Sequence, residues 1–192
     1  MQYLGTYTAT GLFIAFEGGE GAGKSTQSAL LKQWLEAQGR RVVLTRQPGG
    51  TGVGAKLREI VLSPETGHLA DRTEALIYAA DKSEHVEKLV LPALERNEVV
   101  ITDRYVDSTL AYQGAGRTLD PAELEQVARW ATHDLRPHLT VILDLEPEHG
   151  LGRFEERDRI EAEGEEFHTR VRDAFLRMAS ATPDRYLVLD AR

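Results

Sequence analysis

Apolar residues along this 192-residue chain gather in short unbroken runs, separated by longer stretches with helical spacing. The runs are Leu12-Phe13-Ile14-Ala15-Phe16, Val42-Val43-Leu44, Val99-Val100-Ile101, Val141-Ile142-Leu143 and Tyr186-Leu187-Val188-Leu189. Strands that are apolar at consecutive positions are buried on both faces, as in parallel sheets. Between them, Leu30, Leu31, Trp34 and Leu35 carry helical spacing that ends at Gly39. Val53, Leu57, Ile60 and Val61 predict a short helix stopping at Ser63-Pro64. Asp71 with Glu74 reads as a capping box opening a long helix through Leu76, Val86, Leu89 and Val90. Pro92 is expected to kink that helix or end it early. Strand and helix alternate without internal repeat, low-complexity tract or linker. The pattern predicts a single three-layer α/β domain over residues 1–192, with helices on both faces of a mainly parallel sheet.

The first run leads directly into Gly18-Gly19-Glu20-Gly21-Ala22-Gly23-Lys24-Ser25, a full G-x-x-x-x-G-K-S/T loop, followed by Thr26 at the start of a helical pattern. Strand before and helix after are the context that a phosphate-binding loop requires. Its glycines let successive N–H groups turn inward toward anionic oxygens, and the helix adds its positive end. Lys24 reaches the β- and γ-phosphates and the Ser25 hydroxyl ligates Mg²⁺ in such loops. The motif predicts nucleotide binding. By itself it does not separate a GTPase, a motor ATPase and a small-molecule kinase, although an Asn-Lys-x-Asp guanine reader is absent from the sequence.

Composition narrows the classes. With 41% hydrophobic and 28% charged residues the chain is that of a globular protein, which argues against disorder. There is no cysteine, so disulfides, thiolate metal sites and cysteine nucleophiles are excluded; a reducing, cytoplasmic compartment is expected. The segment Met1–Thr6 has neither a basic start nor a long apolar stretch, and no run reaches the length of a membrane span, so neither a signal peptide nor a membrane partner is expected. A net charge of −8 disfavours nucleic-acid binding and requires anionic ligands to be held by local clusters of Arg, Lys and N–H groups. The six histidines lack metal-ligand spacing.

Further segments follow the strand ends: Thr45-Arg46-Gln47-Pro48-Gly49-Gly50, Asp103-Arg104-Tyr105, Ser108-Thr109, Ala111-Tyr112-Gln113-Gly114 and Asp158-Arg159-Ile160-Glu161. In this order they resemble bacterial thymidylate kinases of the class with arginines in a mobile lid, over roughly residues 11 to 191. The resemblance implies the P-loop nucleoside monophosphate kinase fold with strand order 2-3-1-4-5. It also implies ATP-dependent phosphorylation of dTMP to dTDP with Mg²⁺, on the way to dTTP, by a homodimer. Other nucleotide kinases of the same fold and a regulatory nucleotide switch remain the alternatives; paired arginines at strand ends favour an acceptor that already carries a phosphate.

The resemblance also assigns roles. Arg46 and Arg104 would grip the acceptor 5′-phosphate, where the bland alternative is a strand-end salt bridge. Asp103 would orient Mg²⁺ with Ser25. Glu20, an acid inside an anion-binding loop, should face away from ATP and accept the deoxyribose 3′-hydroxyl. Tyr78 would stack on thymine and Lys82 donate to a base carbonyl, at positions where the family usually has Phe and Arg. Ser108, Thr109 and Gln113 are candidates for the thymine edge, and Tyr112 for excluding a ribose. Gln47 stands where Glu is usual. No arginine lies in the phosphate-binding loop, so Arg153, Arg157 and Arg159, in a lid over about 150–162, would supply the transition-state charge. Relatives also continue past the last strand into a terminal helix, whereas this sequence stops at Arg192. The family's dimer helices correspond to residues 75 to 94, where Leu76, Ile77, Val86, Leu89, Val90 and Leu91 are more than one narrow core stripe needs.

Overall fold

The computed structural model describes residues 5–152 and 157–192. Five strands form one parallel sheet: β1 (Leu12–Gly18), β2 (Val42–Arg46), β3 (Val99–Asp103), β4 (Leu139–Asp144) and β5 (Tyr186–Asp190), in the order β2-β3-β1-β4-β5. This is the expected order. Side chains alternate across a strand, and β1 shows the consequence. Phe13 and Ala15 pack with Val100, Leu94 and Val106 on one face, while Ile14 and Phe16 join Ile101, Val141 and Leu143 on the other. Both faces are covered, which is why the strands read as continuous apolar runs. β5 departs from that expectation. It is an edge strand, and Leu187, Val188 and Leu189 stay more than two-fifths exposed.

Helices α1 (Lys24–Ala37), with Leu31 and Leu35 against the sheet, and α2 (Gly52–Leu62) end as the spacing predicts. Helix α3 (Asp71–His85) does not begin with a capping box. Its N-cap is Ala70, without a side-chain cap, and Glu74 lies a turn inside, fully buried and ion-paired. The spacing of Asp71 and Glu74 imitates a cap locally, but the arginines that claim Glu74 lie far away in sequence. Pro92 does not stop the helix either. After α3 the chain widens into a π-helical turn over Val86–Val90 and continues as α4 (Leu91–Glu95), with Pro92 in its first turn. The wider turn shifts the carbonyl that a proline ring would otherwise strike. Next come α5 (Val106–Thr109), a second π-helical stretch over Leu110–Gly116, α6 (Pro121–Thr132), α7 (Pro147–Leu151) and α8 (Glu165–Ala181), whose Phe167, Val171 and Phe175 pack with Tyr112, Ile142 and Ile160.

Strand register sets the site. Arg46 and Phe16 each pair with Asp103, so the carboxyl ends of β1, β2 and β3 lie level, at the crevice where open α/β sheets bind ligands. Asp144, at the end of β4, is held by Arg172 of α8 at 2.7 and 3.0 Å and takes a structural role.

Leu94 is fully buried within the β1–β3–α4 core. Leu94→Ala should destabilise the fold by about 2–5 kcal/mol through lost burial and a residual cavity. Urea unfolding measures this; a loss under about 1 kcal/mol would show that the site collapses to refill the space.

Candidate active site

The phosphate-binding loop takes its shape from two close approaches. A Cβ at Gly18 (φ 131°) would strike the Leu143 carbonyl, and one at Gly21 (φ 66°) the Gly150 carbonyl. Both positions therefore require glycine. Gly23 caps α1 with no side-chain hydrogen bond, which leaves the first N–H groups of α1 for an anion. Lys24 is buried, and its ammonium donates to the Gly18 and Gly19 carbonyls at 3.2 and 2.6 Å. Burial pulls that ammonium down to about 8, with Arg104 adding to the effect and Glu20 opposing it. The Ser25 hydroxyl donates to Asp103 Oδ2 at 2.6 Å. An all-oxygen pair of this kind suits a hard cation such as Mg²⁺.

Arg104 joins the two halves of the site. It leaves β3 with φ 70°. Its guanidinium donates to the Gly18 carbonyl at 3.1 Å, to Ser108 Oγ at 3.1 Å and to Glu20 Oε1 at 2.6 Å, and it lies 4.8 Å from the Tyr112 ring centre. Tyr112 donates to the same Glu20 oxygen at 2.7 Å. Burial would raise the Glu20 carboxyl, but Arg104 and Lys24 outweigh it and hold it down at about 2. Glu20 thus stays ionised between the two clefts, and its Oε2 has no hydrogen-bond partner among the described residues.

Beyond Glu20 opens a pocket walled by Tyr78, Lys82, Thr109 and Gln113. Glu74, Tyr78 and Lys82 follow one another at four-residue intervals on α3 and so share a face. Lys82 is 2% exposed and has no hydrogen-bond acceptor among the described residues; its ammonium lies 5.5 Å from the Tyr78 ring centre. Burial pulls it down to about 8 against the pull of Asp81. Thr109 Oγ1 and Gln47 Oε1 are also buried without partners among the described residues. Gln47 is fixed from behind by His85 Nδ1 at 2.7 Å, and His85 is itself held low, at about 4, by burial.

Several expected roles change. The only proton of the Ser108 hydroxyl goes to a carboxylate behind the pocket, Glu17, at 2.6 Å. Ser108 therefore supports Arg104 instead of offering a donor to a base. Gln113 gives its amide N–H to Glu74 at 2.9 Å. Arg159 is not directed at the phosphates. It donates to Glu74 Oε2, to the Val61 carbonyl at 2.8 Å, and its N–H to the Leu62 carbonyl at 3.0 Å. A buried carboxylate already shared with Arg117 outcompetes a solvent-facing role for it. Arg157 remains exposed, with one long contact to the Leu151 carbonyl at 3.4 Å. Arg153 lies outside the described residues. Arg46 is exposed at the cleft, with no ion pair among the described residues.

Arg58 on α2 carries no motif in the sequence, yet it lines both the cleft at the phosphate-binding loop and the pocket beyond Glu20, as does Glu161 of the 158–161 segment. Arg58 donates to the Pro48 carbonyl at 3.1 Å, and burial followed by repulsion from Arg46 lowers its guanidinium. The available signal was spacing: Arg58 stands four residues after buried Gly54 and three before buried Val61, on the inward face of its helix.

The sheet order, the loop cradling phosphate and the adjoining acceptor pocket define a P-loop kinase of the nucleoside monophosphate kinase fold. A family model described as thymidylate kinase matches residues 16–192. Thymidylate kinases of Cutibacterium acnes and Clavibacter sepedonicus are each 56% identical to the chain, over 182 and 186 residues, spanning 95% of it and 89% and 88% of their own lengths. The crystal structure of thymidylate kinase from Ehrlichia chaffeensis matches with a TM-score of 0.79 at 35% identity, over 94% of this chain and 93% of that one. The chain belongs to the thymidylate kinase family.

Arg58→Ala should raise KM for a monophosphate acceptor by about ten- to a hundredfold, the scale of a charged hydrogen bond, with KM for ATP unchanged. Steady-state kinetics with each substrate varied in turn checks it. Equal shifts in both constants would remove Arg58 from the acceptor site.

Proposed function

We infer that the chain phosphorylates dTMP to dTDP with ATP, in the route to dTTP, by direct in-line transfer. The observation that carries this reading is a shared wall: Glu20, Gln47, Arg58, Arg104 and Glu161 border both the phosphate cleft and the acceptor pocket. An acceptor seated against Tyr78 and Lys82 would thus present its 5′-phosphate to Arg46, Arg58 and Arg104, facing the γ-phosphate held by the loop. Transfer of this kind needs positioning and charge neutralisation more than covalent help from the protein. Lys24 would leave its carbonyl partners for the β- and γ-phosphates. Ser25 and Asp103 would hold Mg²⁺, which would supply positive charge to neutralise the phosphates. Glu20 Oε2 would accept the 3′-hydroxyl, Tyr112 would crowd C2′, and Thr109 would meet the thymine edge. We assign the chain to one kinase domain over residues 1–192 with a lid at about 150–162, and Arg157 as the described lid arginine that reaches the transferring phosphoryl group.

We also propose a homodimer. Among the residues expected at its interface, Val86 and Val90 are core and Leu89 and Leu91 pack against it, so the apolar excess there is internal. Only Leu76 among the six stays exposed, at 59%; Val53 and Ile60 of α2 and Trp130 of α6, on helices that pack against α3, are exposed as well. A second copy would cover this face. No helix among the described residues is long and apolar enough to cross a membrane, and we place the enzyme in the cytoplasm.

ADP release coupled to a panel of nucleoside monophosphates should be fast only with dTMP. Lys24→Ala should lower kcat by about 10²–10³-fold and Arg157→Ala by about tenfold, as lost transition-state contacts do. Near-normal turnover of Lys24→Ala at saturating ATP contradicts the donor site. Light scattering at micromolar concentration should give twice the chain mass, and Leu76→Glu should halve it by burying an unpaired charge; a monomeric wild type refutes the dimer.

A further inference from the structure

Glu17 lies near the end of β1, fully buried, and lines neither nucleotide cleft. Its Oε1 accepts the N–H groups of Tyr105 at 2.8 Å and Ser108 at 3.2 Å, and its Oε2 accepts the Ser108 hydroxyl at 2.6 Å. These donors belong to the turn that begins α5, directly after Arg104. Ser108 Oγ in turn accepts from Arg104. The Arg104 backbone, at φ 70°, is in a conformation that a residue with a Cβ holds only when its surroundings impose it.

We propose that Glu17 is a positioning residue for the acceptor phosphate: by gathering the start of α5 and orienting Ser108, it holds Arg104 in its left-handed corner with the guanidinium fixed. Glu17 touches no substrate. The proposal rests on the reading of Arg104 as an acceptor-phosphate ligand.

The carboxylate form is the one that does this. When Glu17 is ionised, Ser108 donates to it and turns a lone pair toward Arg104. When Glu17 is protonated, Oε2–H donates to Ser108 Oγ, the hydroxyl hydrogen must take one of the two remaining directions on that oxygen, and it then competes with Arg104 for the lone pair that faces the guanidinium. The groups facing Glu17 are Asp107 and Arg104, then Lys24 from α1, Lys82 from α3 and Tyr186 from β5. Asp107 is itself engaged by Arg136 at 3.4 Å and by the Tyr186 hydroxyl at 2.9 Å. Burial, with Asp107 adding to it, pushes Glu17 up to about 7, against Ser108, Arg104 and the Tyr105 N–H. Alignment of Arg104 is therefore complete above that pH and weakens as pH falls through it.

Glu17→Gln keeps the shape and imitates the protonated acid. At about pH 8.5 it should raise KM for dTMP about tenfold while KM for ATP stays within about twofold. The wild-type to variant ratio of kcat/KM for dTMP should then fall toward one by about pH 6, where the wild type is itself protonated. Titration of the dTMP phosphate affects both proteins and cancels in the ratio. A ratio independent of pH, or equal rises in both KM values, would overturn the proposal. Should Glu17→Gln show no cooperative thermal transition, Ser108→Ala breaks the same link and must give the same pH-dependent ratio. Arg104→Ala separates the two failures. If it leaves KM for dTMP unchanged, the acceptor-site reading fails; if it raises KM while Glu17→Gln and Ser108→Ala do not, only the positioning role fails.

Discussion

Parallel register places Phe16, Arg46 and Asp103 side by side at the carboxyl ends of β1, β2 and β3, and both nucleotide sites depend on that alignment. The chain leaves each strand at the same level, so the phosphate-binding loop, Arg46 and Arg104 all enter one crevice. A slip of one residue would exchange the two faces of a strand and send Phe13 or Ile14 to the wrong core. Burial on both faces fixes the register, and the register in turn fixes the chemistry.

Electrostatics sets the next constraint. A chain of net charge −8 has to bind two polyanions. It does so by burying cations beside groups that keep them in place without cancelling them. Lys24 leans on two carbonyls, Arg104 on a carbonyl, a hydroxyl and one oxygen of Glu20. Lys82, among the described residues, has the Tyr78 ring and the pull of Asp81 and Glu17. An unpaired buried cation is costly, and that cost makes such positions ready to accept an anion or a carbonyl. Arg159, by contrast, gives guanidinium donors to Glu74 and the Val61 carbonyl, and its backbone N–H to the Leu62 carbonyl. It ties the segment after residue 157 to α3 and α2, and Glu161 of that segment borders both clefts.

Much was legible in the sequence because its signals are local. The loop from Gly18 to Ser25 has its function written into adjacent residues, and the five apolar runs announce strands covered on both sides. Glu20, Tyr78, Lys82 and Thr109, which the family resemblance singled out, line one pocket beside the phosphate-binding loop. The misreadings share one cause. Glu74 looked like a cap and Arg159 like a phosphate ligand because their mutual partner lies 85 residues away. Ser108 looked like a base reader because nothing near it announces the Glu17 carboxylate, 91 residues distant. Val86 and Val90 looked like an interface because periodicity shows which face is apolar but not what covers it.

The sequence by itself determined the elements, their order and the phosphate-binding chemistry, since these follow from backbone sterics and from the spacing of apolar residues. Only the tertiary structure decided which charged groups meet, because a buried ion finds its partner through three-dimensional packing of segments far apart in the chain. That is how Arg58 came to line both clefts, Arg159 to pair with Glu74, and Arg104 to acquire the surroundings that hold it in place.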